Sequence, residues 1–299
     1  MSENTIVDMT GYFQRFSTDK ACKEYLIQKF WKNGPICPHC KNSKNIYVYK
    51  SRDLHKCSKC RKQFTITTGT IFADSNLPLH KIFLAYYLIS INKKGISSTH
   101  LARALGISQK SAWYLAHKIR CGFKRMNKVK RLSNTVEVDE TYVGGKSKGK
   151  RGRGAENKTP VFGMLERKGT LIIQPVPDTK RRTLEPLIYL NVKKGSYIMS
   201  DEWWAYTKLY KNFKRGVVNH GTKEYVRGEV HVNSLEGAWS LLKRSIRGIY
   251  HCPSKKHLDK YCEEFAFKYN TRKDDDYKRF EKAILLSRIK TNQKNITSN

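Results

Sequence analysis

The chain has 299 residues, a length that predicts about two domains and allows a hydrophobic core without disulfides. Lysine and arginine number 59 against 25 aspartate and glutamate residues, and the formal net charge of +34 predicts a polyanionic partner such as nucleic acid. The longest apolar run, 82–89, is far shorter than the roughly 20 residues that span a bilayer, so no membrane association is expected. The amino terminus lacks a signal-peptide pattern, and we expect a cytoplasmic protein with reduced cysteines.

Residues 10–33 show the apolar spacing of one amphipathic helix or two short ones. Two Cys-x-x-Cys pairs follow, with sixteen residues between them. This spacing is typical of a zinc ribbon, in which four thiolates hold one structural Zn²⁺ and leave no position for water. The alternatives are unliganded cysteines or disulfides, which the spacing and the reducing compartment disfavour. The predicted ligands are Cys37, Cys40, Cys57 and Cys60, and the nearby basic side chains expected to face DNA phosphates are Lys59, Arg61 and Lys62.

From about residue 78 to residue 130 the pattern is helical, with breaks at 93–95 and at Gly106. The glycine separates a leucine-rich helix from a second one, which is the layout of a helix-turn-helix whose second helix enters the major groove. Glycine also ends ordinary helices, so a plain helical hairpin is the alternative. The basic charge and the ribbon upstream favour DNA recognition. The residues expected to face the DNA are Gln109, Lys110, Ser111 and Tyr114.

Alternating apolar and β-branched segments begin at Thr135 and predict four strands, with a helix before the last of them. The predicted strands are 136–143, 160–166, 170–176 and 196–200, and the helix is 184–192. Segment 144–154 is too rich in glycine and charge to pack a core. We expect it to be a mobile basic loop that contacts phosphate. Its DNA-binding residues would be Lys148, Lys150 and Arg151.

Three acidic residues dominate the second half of the chain. Asp139 lies within a predicted strand, Asp201 ends another, and Glu236 opens a helix-like stretch, 233–250. Two strand ends and one helix start can converge, and three carboxylates at one point repel one another unless hard cations lie between them. We therefore predict two Mg²⁺ or Mn²⁺ ions about 3.5 to 4 Å apart, the arrangement used for in-line phosphoryl displacement. Lys243 follows two helical turns after Glu236 and would meet a phosphate.

Each acidic residue also has a structural alternative. A lone strand acid is usually a solubility device at a sheet edge, although the residues flanking Asp139 look buried. Asp201 fits the N-cap of a following helix equally well. Glu236 could close a capping box in which Asn233 is the N-cap. Strand alternation puts Glu137, Asp139 and Thr141 on one face and Val136, Val138, Glu140 and Tyr142 on the other.

The motifs occur in the order zinc ribbon, helix-turn-helix, 138–145, 200–206 and 231–244. In this combination the chain resembles the ISXO-type insertion-sequence transposases of the DDE superfamily, over about residues 10–272. The resemblance implies an α/β RNase H-like catalytic domain with a mixed five-stranded sheet. The first acid would lie on the first strand, the second after the fourth strand, and the third on a following helix. Some members carry asparagine as the third catalytic residue, so Asn233 is an alternative to Glu236. We favour Glu236 because an anionic ligand binds Mg²⁺ more strongly than an amide oxygen.

The resemblance further implies a DNA transposase that binds the terminal inverted repeats of an insertion sequence, cleaves DNA strands and joins the ends to target DNA. Double-stranded DNA would be the partner, and a homodimer or larger assembly is expected because two ends must be joined. Such a protein would be nucleoid-associated. Two alternatives stay open: a non-catalytic zinc-ribbon regulator or domesticated transposase, and an RNase H-like structure-specific nuclease. The implied catalytic residues are Asp139, Asp201 and Glu236 or Asn233 as metal ligands, with Lys243, Arg244 and Arg247 as phosphate contacts.

The expected organisation is multidomain. It comprises an N-terminal helical segment at 1–33, a zinc ribbon at 34–72, a helical region with the helix-turn-helix at 73–130, the catalytic domain at 131–272, and a C-terminal helix with a polar tail at 273–299.

Overall fold

The computed structural model describes residues 8–124, 126, 131–145, 158–222, 224 and 226–288. They belong to two compact units. The first combines Met1–Gly122 with Asp274–Asn299, and the second is Phe123–Lys273. No helix in the described part of the chain is long and apolar enough to cross a membrane.

Groups of helices and groups of strands follow one another along the chain. The helices are α1 (Met9–Phe16), α2 (Asp19–Phe30), α3 (Leu79–Ile91), α4 (Ser98–Leu105), α5 (Gln109–Phe123), α6 (Arg181–Asn191), α7 (Asn233–Ser245), α8 (Leu258–Asn270) and α9 (Asp276–Leu285). The strands are β1 (Ile46–Tyr49), β2 (Leu54–Cys57), β3 (Gln63–Phe64), β4 (Thr135–Gly144), β5 (Lys158–Glu166), β6 (Leu171–Pro175), β7 (Tyr197–Ser200) and β8 (Lys214–Val217).

The amino-terminal amphipathic segment forms two helices rather than one. Asp8 accepts a hydrogen bond from the backbone N–H of Gly11 at the start of α1, and Thr18 accepts one from Ala21 at the start of α2. Because each helix has its own N-cap, the chain turns between them. Their aromatic side chains pack with those of α3 and α9. The ring of Phe280 on α9 lies 5.7 Å from that of Tyr12.

Helices α4 and α5 form the glycine-linked pair that the sequence predicts. Ser97 caps α4 by accepting from the N–H of His100, and Gly106 ends it with a left-handed φ of +59°. Ser108 then accepts a hydrogen bond from the N–H of Ser111 at the start of α5. Apolar side chains of both helices are buried, which fits a helix-turn-helix and a plain helical hairpin alike: Leu101, Ala102, Leu105, Ala112 and Leu115.

The cysteine-rich segment folds as a small antiparallel sheet of order β1-β2-β3. Ile46 is opposite Cys57 in this sheet, and His55 is opposite Phe64. Cys37, Cys57 and Phe64 form its buried core. The core is small, which suits a module that a metal ion holds together.

The second unit contains a mixed sheet of order β6-β5-β4-β7-β8 in its described residues. β4 pairs antiparallel with β5 and parallel with β7, and β8 is parallel to β7. Val136 and Val138 pack with α6 on one face, and α7 and α8 cover the other. This order confirms the RNase H-like fold. The central strand β4 carries Asp139, and Asp201 directly follows β7.

Three details differ from the sequence-based prediction. The periodicity alone did not identify the fifth strand, β8, which is only four residues long and contains two basic residues and a glycine. Helix α6 starts at Arg181, three residues before the predicted boundary. The long helical stretch is α-helical to Ser245 and continues as a π-helical turn, Ile246–Tyr250. The polar tail expected near 292–299 lies outside the described residues.

Candidate metal centre and DNA-contacting surfaces

The strand register brings Asp139 and Asp201 to the same level of the sheet. Glu137 on β4 is the parallel partner of Met199 on β7. Because the two strands run parallel, two residues further along each of them Asp139 lies level with Asp201. Neighbouring strands lie about 4.8 Å apart, so the two carboxylates belong to one site.

A third carboxylate, that of Glu140, joins this pair. Asp139, Glu140 and Asp201 each offer an oxygen, and these oxygens all lie within 4.8 Å of one another. Burial, and after it the charges of Glu140 and Asp201, raise the pKa of Asp139 to about 7 against the opposing effect of its hydrogen bonds. Oxygen ligands at about 2.1 Å from Mg²⁺ lie roughly 3 to 4.2 Å apart. The three carboxylates, which we call the acidic cluster, therefore fit a hard divalent cation.

Each carboxylate of the acidic cluster has a separate hydrogen-bond donor. Trp239 Nε1 on α7 donates to Asp139 Oδ2 at 2.9 Å. The buried Tyr206 hydroxyl donates to Glu140 Oε1. The backbone N–H of Trp203 donates to Asp201 Oδ1 at 3.0 Å. The N-cap of the following helical segment, Trp204–Lys211, is Trp203, so the N-cap alternative for Asp201 is wrong. The Asp201 carboxylate holds the turn before that segment and belongs to the cluster.

Arg215 on β8 brings a positive charge beside Asp201. Its guanidinium donates to Ser200 Oγ from Nε at 3.3 Å and from Nη2 at 3.2 Å. Nη2 also approaches the backbone carbonyl of Asp201 at 3.4 Å. Strand β8, which the hydrophobic periodicity did not predict, therefore holds the end of β7 through Arg215, next to Asp201.

Helix α7 carries the remaining residues predicted at the centre. Asn233 and Glu236 lie exposed on its first turn, and Lys243 is half-buried. Burial and the charge of Arg247 lower the pKa of Lys243, while Asp139 acts in the opposite direction. The Lys243 ammonium is therefore within electrostatic reach of Asp139. Arg244 and Arg247 are exposed. The choice between Glu236 and Asn233 as third ligand stays a prediction.

The start of α7 is held by Glu137 and not by the capping box considered from the sequence. The helix begins at Asn233, with Val232 in the N-cap position. Glu137 is fully buried, and its carboxylate accepts from the N–H of Leu235 at 2.9 Å and from Ser234 Oγ at 3.0 Å. A carboxylate at this position satisfies a free helix N–H and complements the helix dipole.

The four predicted zinc ligands lie together. Sγ of Cys37 is 3.6 Å from that of Cys60, and Sγ of Cys40 is 3.6 Å from that of Cys57. Four sulfurs at about 2.3 Å from a tetrahedral zinc ion lie about 3.8 Å from one another. All four sulfur atoms are within 4.8 Å of each other, so the cluster fits one zinc ion. Lys59, Arg61 and Lys62 are exposed beside it.

The residues predicted to read DNA begin helix α5. Gln109 and Lys110 are exposed, whereas Ser111 and Tyr114 are half-buried. Gln109 Nε2 donates to Ser98 Oγ at 2.8 Å, which links the two helices of the pair. The other predicted DNA contacts, Lys148, Lys150 and Arg151, lie outside the described residues.

Four residues of the site were not identified as such from the sequence. Glu140 was assigned to the opposite strand face. The helical spacing of Trp239 with Leu235 and Leu242 indicates only an apolar core position. Glu137 was placed on the face of Asp139 without a role. Gly163, the strand partner of Asp139, carried no signal at all. An acidic residue at an inward-facing strand position is the signal that could have identified Glu137.

Comparison with known proteins agrees with this architecture. A model of the ISXO2-like transposase domain matches residues 131–270, and a model of the transposase zinc-ribbon domain matches residues 17–63. A relative from Halobacterium salinarum, the uncharacterized protein in transposable element ISH50, is 30% identical over 279 residues, which are 85% of this chain and 91% of the relative. The chain belongs to the ISXO2-like transposase family. The match to the ISXO2-like transposase domain contains the acidic cluster, and the zinc-ribbon match contains the four cysteines.

Other similarities of this family member are more limited. A Haemophilus influenzae uncharacterized transposase-like protein is 27% identical over 96 residues, which are 32% of this chain and 76% of the relative. The crystal structure of the Mos1 strand transfer complex is 12% identical with a TM-score of 0.28, covering 71% of this chain and 79% of that chain. A pre-cleavage Mos1 transpososome is 12% identical with a TM-score of 0.27, covering 95% and 97%. The fold assignment rests on the sheet order, not on these distant likenesses.

Proposed function

We propose that the protein is a DDE-type DNA transposase that binds the terminal inverted repeats of an insertion sequence, cuts DNA strands and joins the ends to target DNA. The observation that carries the proposal is the acidic cluster at the level where Asp139 and Asp201 meet, in a member of a transposase family. Phosphodiester chemistry needs such a cluster because its oxygens hold the cations that neutralise the reacting phosphate.

In this proposal Asp139, Asp201 and Glu236 or Asn233 hold two Mg²⁺ or Mn²⁺ ions. Ions held there would supply Lewis acidity, for activation of the attacking water or 3′-hydroxyl and for stabilisation of the leaving oxygen. The role of the protein is to orient the carboxylates that bind the ions. Trp203 and Trp239 hold the two aspartates by hydrogen bonds. The fit of the acidic cluster to a hard cation supports the role of Asp139 and Asp201, while the third ligand on α7 is proposed from the sequence.

The basic residues after the third acid would hold the substrate. Lys243 lies within the field of Asp139 and would contact the phosphate next to the scissile bond. Arg244 and Arg247 are exposed on the same helical segment and would contact the flanking backbone. An arginine fork can bind a phosphate through two donors.

DNA-end recognition is assigned to the zinc ribbon and the helix-turn-helix. The ribbon exposes Lys59, Arg61 and Lys62, and α5 exposes Gln109 and Lys110. Backbone contacts of the ribbon would fix the register of the protein, while side chains at the start of α5 would read base edges. Because two ends must be joined, we expect a homodimer or a larger assembly on DNA, in the nucleoid of the cell.

The test uses short duplexes from the genomic termini that flank the coding sequence, incubated with the full-length protein and Mg²⁺ or with EDTA. Nicked and joined products are resolved on a sequencing gel. We expect nicking and joining with Mg²⁺ only, and we expect Asp139→Asn and Asp201→Asn to abolish both while end binding persists. Glu185→Gln, on α6 outside the cluster, is the matched control and should behave like wild type.

The products separate the competing functions. Metal-dependent cutting without joining would indicate a structure-specific nuclease. Binding of the ends with no metal-dependent product would indicate a non-catalytic DNA-binding protein. Normal joining by Asp139→Asn would refute the catalytic assignment itself.

A further inference from the structure

Trp239 is the point at which helix α7 touches the acidic cluster. Its side chain is 4% exposed and packs in the core with Leu235 and Leu242. From that core its indole Nε1 reaches Asp139 Oδ2 at 2.9 Å. Indole nitrogen is only a donor, and a buried tryptophan usually finds an acceptor. Here the acceptor is a predicted metal ligand.

Gly163 leaves the space in which the indole ring lies. It is the partner of Asp139 in the β4–β5 register. A Cβ atom at this position would lie 2.5 Å from Cη2 and Cζ2 of Trp239 and 3.1 Å from Cδ1 of Leu235. Carbon atoms do not approach this closely without displacement of the ring. A side chain at 163 would therefore push the indole away from the strand and from Asp139.

The contact between Trp239 and Asp139 is one of two hydrogen-bonded contacts between strand β4 and helix α7. Glu137 binds the N–H of Leu235, and Asp139 binds the indole of Trp239. Two residues along a strand span about 6.6 Å. Four residues along a helix span about 6 Å. Because the two spacings agree, the helix is fixed at two points on one strand face, and it cannot slide without loss of both hydrogen bonds.

Resting on the proposed metal-dependent function, we propose that Trp239 is a positioning residue that orients the Asp139 carboxylate, occupying Oδ2 so that Oδ1 is presented to the cation. Gly163 is required because it admits the indole ring. A hydrogen bond to a ligating carboxylate fixes its rotamer, and loss of such a partner typically costs about 10 to 100-fold in metal affinity or activity.

The test measures Mn²⁺ binding to the full-length, zinc-loaded protein by the loss of the free Mn²⁺ signal in electron paramagnetic resonance. Trp239→Phe keeps a ring over Gly163 and removes the donor. We expect it to raise the Kd for Mn²⁺ about 10 to 100-fold. Leu242→Ala, in the same helix and core, is the control for a general loss of packing. It should lower the melting temperature but change the Kd less than about 3-fold, since it leaves the carboxylate and its donor in place.

Two further variants keep the test decisive if phenylalanine disturbs the fold. Replacement of Trp239 by 3-benzothienylalanine retains the shape of indole and substitutes sulfur for the N–H group, so it should weaken Mn²⁺ binding as Trp239→Phe does. Gly163→Ala should weaken it too, because the ring is displaced while its N–H remains. Wild-type Mn²⁺ affinity in the benzothienyl protein would overturn the positioning role. Absence of Mn²⁺ binding by the wild-type protein would instead overturn the proposed function, and the inference with it.

Discussion

Arg167 Nε donates to Glu137 Oε1 at 2.8 Å, and the Glu137 side of this ion pair is completely buried. The same guanidinium donates to the backbone carbonyls of Glu229 and His231. Arg167 therefore connects the strand that carries Asp139 to the segment that leads into helix α7. The pair fixes the direction from which the helix approaches the sheet.

Removal of the Glu137 carboxylate should destabilise the second unit severely. Glu137→Ala leaves Arg167 without its buried anion and the N–H of Leu235 without its acceptor, and loss of one partner of a buried pair costs about 3 to 5 kcal/mol. Urea denaturation followed by circular dichroism measures the change. Glu229→Gln removes a 95% exposed carboxylate 3.7 Å from the same arginine and should cost less than about 1 kcal/mol. Equal effects of the two variants would contradict the structural role of Glu137.

The third metal ligand can be identified by substitution on the first turn of α7. We expect Glu236→Gln to reduce DNA cleavage by at least about 100-fold and Asn233→Ala to reduce it less, since the amide is the weaker ligand for Mg²⁺. Initial cleavage rates over a range of Mg²⁺ concentrations measure this. The reverse order would assign the role to Asn233.

Glu140 can be tested in the same cleavage assay. Its carboxylate lies in the acidic cluster, so we expect Glu140→Gln to raise the Mg²⁺ concentration needed for half-maximal cleavage by about 10-fold or more. Tyr206→Phe is the companion variant, because it removes only the hydroxyl that donates to Glu140. An unchanged Mg²⁺ requirement in Glu140→Gln would exclude this carboxylate from the metal site.

Zinc content should depend on the four clustered cysteines alone. The purified protein is expected to contain one zinc ion per chain, and Cys57→Ser should lose it, because a serine hydroxyl does not replace a thiolate at a tetrahedral site. Inductively coupled plasma mass spectrometry measures the ratio. Cys252→Ser changes an exposed cysteine outside the cluster and should retain zinc. Zinc loss from that control would mean that the ligand set is wrong.

DNA binding by α5 should show in its dependence on salt. If Lys110 contacts one phosphate, Lys110→Ala should reduce the slope of log K against log salt concentration by about 0.9. Fluorescence anisotropy with a terminal-repeat duplex measures it between about 50 and 200 mM salt. Lys20→Ala, exposed on α2, serves as the comparison. An equal slope for wild type and Lys110→Ala would show that Lys110 does not contact a DNA phosphate.

Local sequence pattern accounts for most of the fold. Alternation predicted β4 and placed Val136 and Val138 on the face opposite Asp139, as the structure confirms, because burial of one sheet face dictates the period of two. The helix pair joined at Gly106 and the cysteine cluster follow from glycine and cysteine spacing. The boundaries predicted for the domains stay predictions, since the two units are defined by packing and not by changes of residue composition along the sequence.

The site itself was only partly predictable, because its contacts join distant segments. The bond between Trp239 and Asp139 spans 100 residues, and it depends on the missing side chain of Gly163 on a third segment. From its helix alone, Trp239 is an ordinary core residue. Glu140 points away from Asp139 by alternation, yet its long side chain brings an oxygen back to the cluster. The periodicity of apolar residues predicts which face of an element is buried. It does not predict how far a side chain reaches or which distant residues pair.

Helix α9 belongs to the same compact unit as the amino terminus, so the second unit is inserted between two parts of the first. A fragment that ends before Asp274 would lack Phe280, which contacts the rings of Tyr12, Phe16 and Phe83. A truncation that removes 274–288 would thus damage the unit that carries the zinc ribbon. Loss of α9 would impair the packing of α1, which lies more than two hundred residues earlier in the sequence.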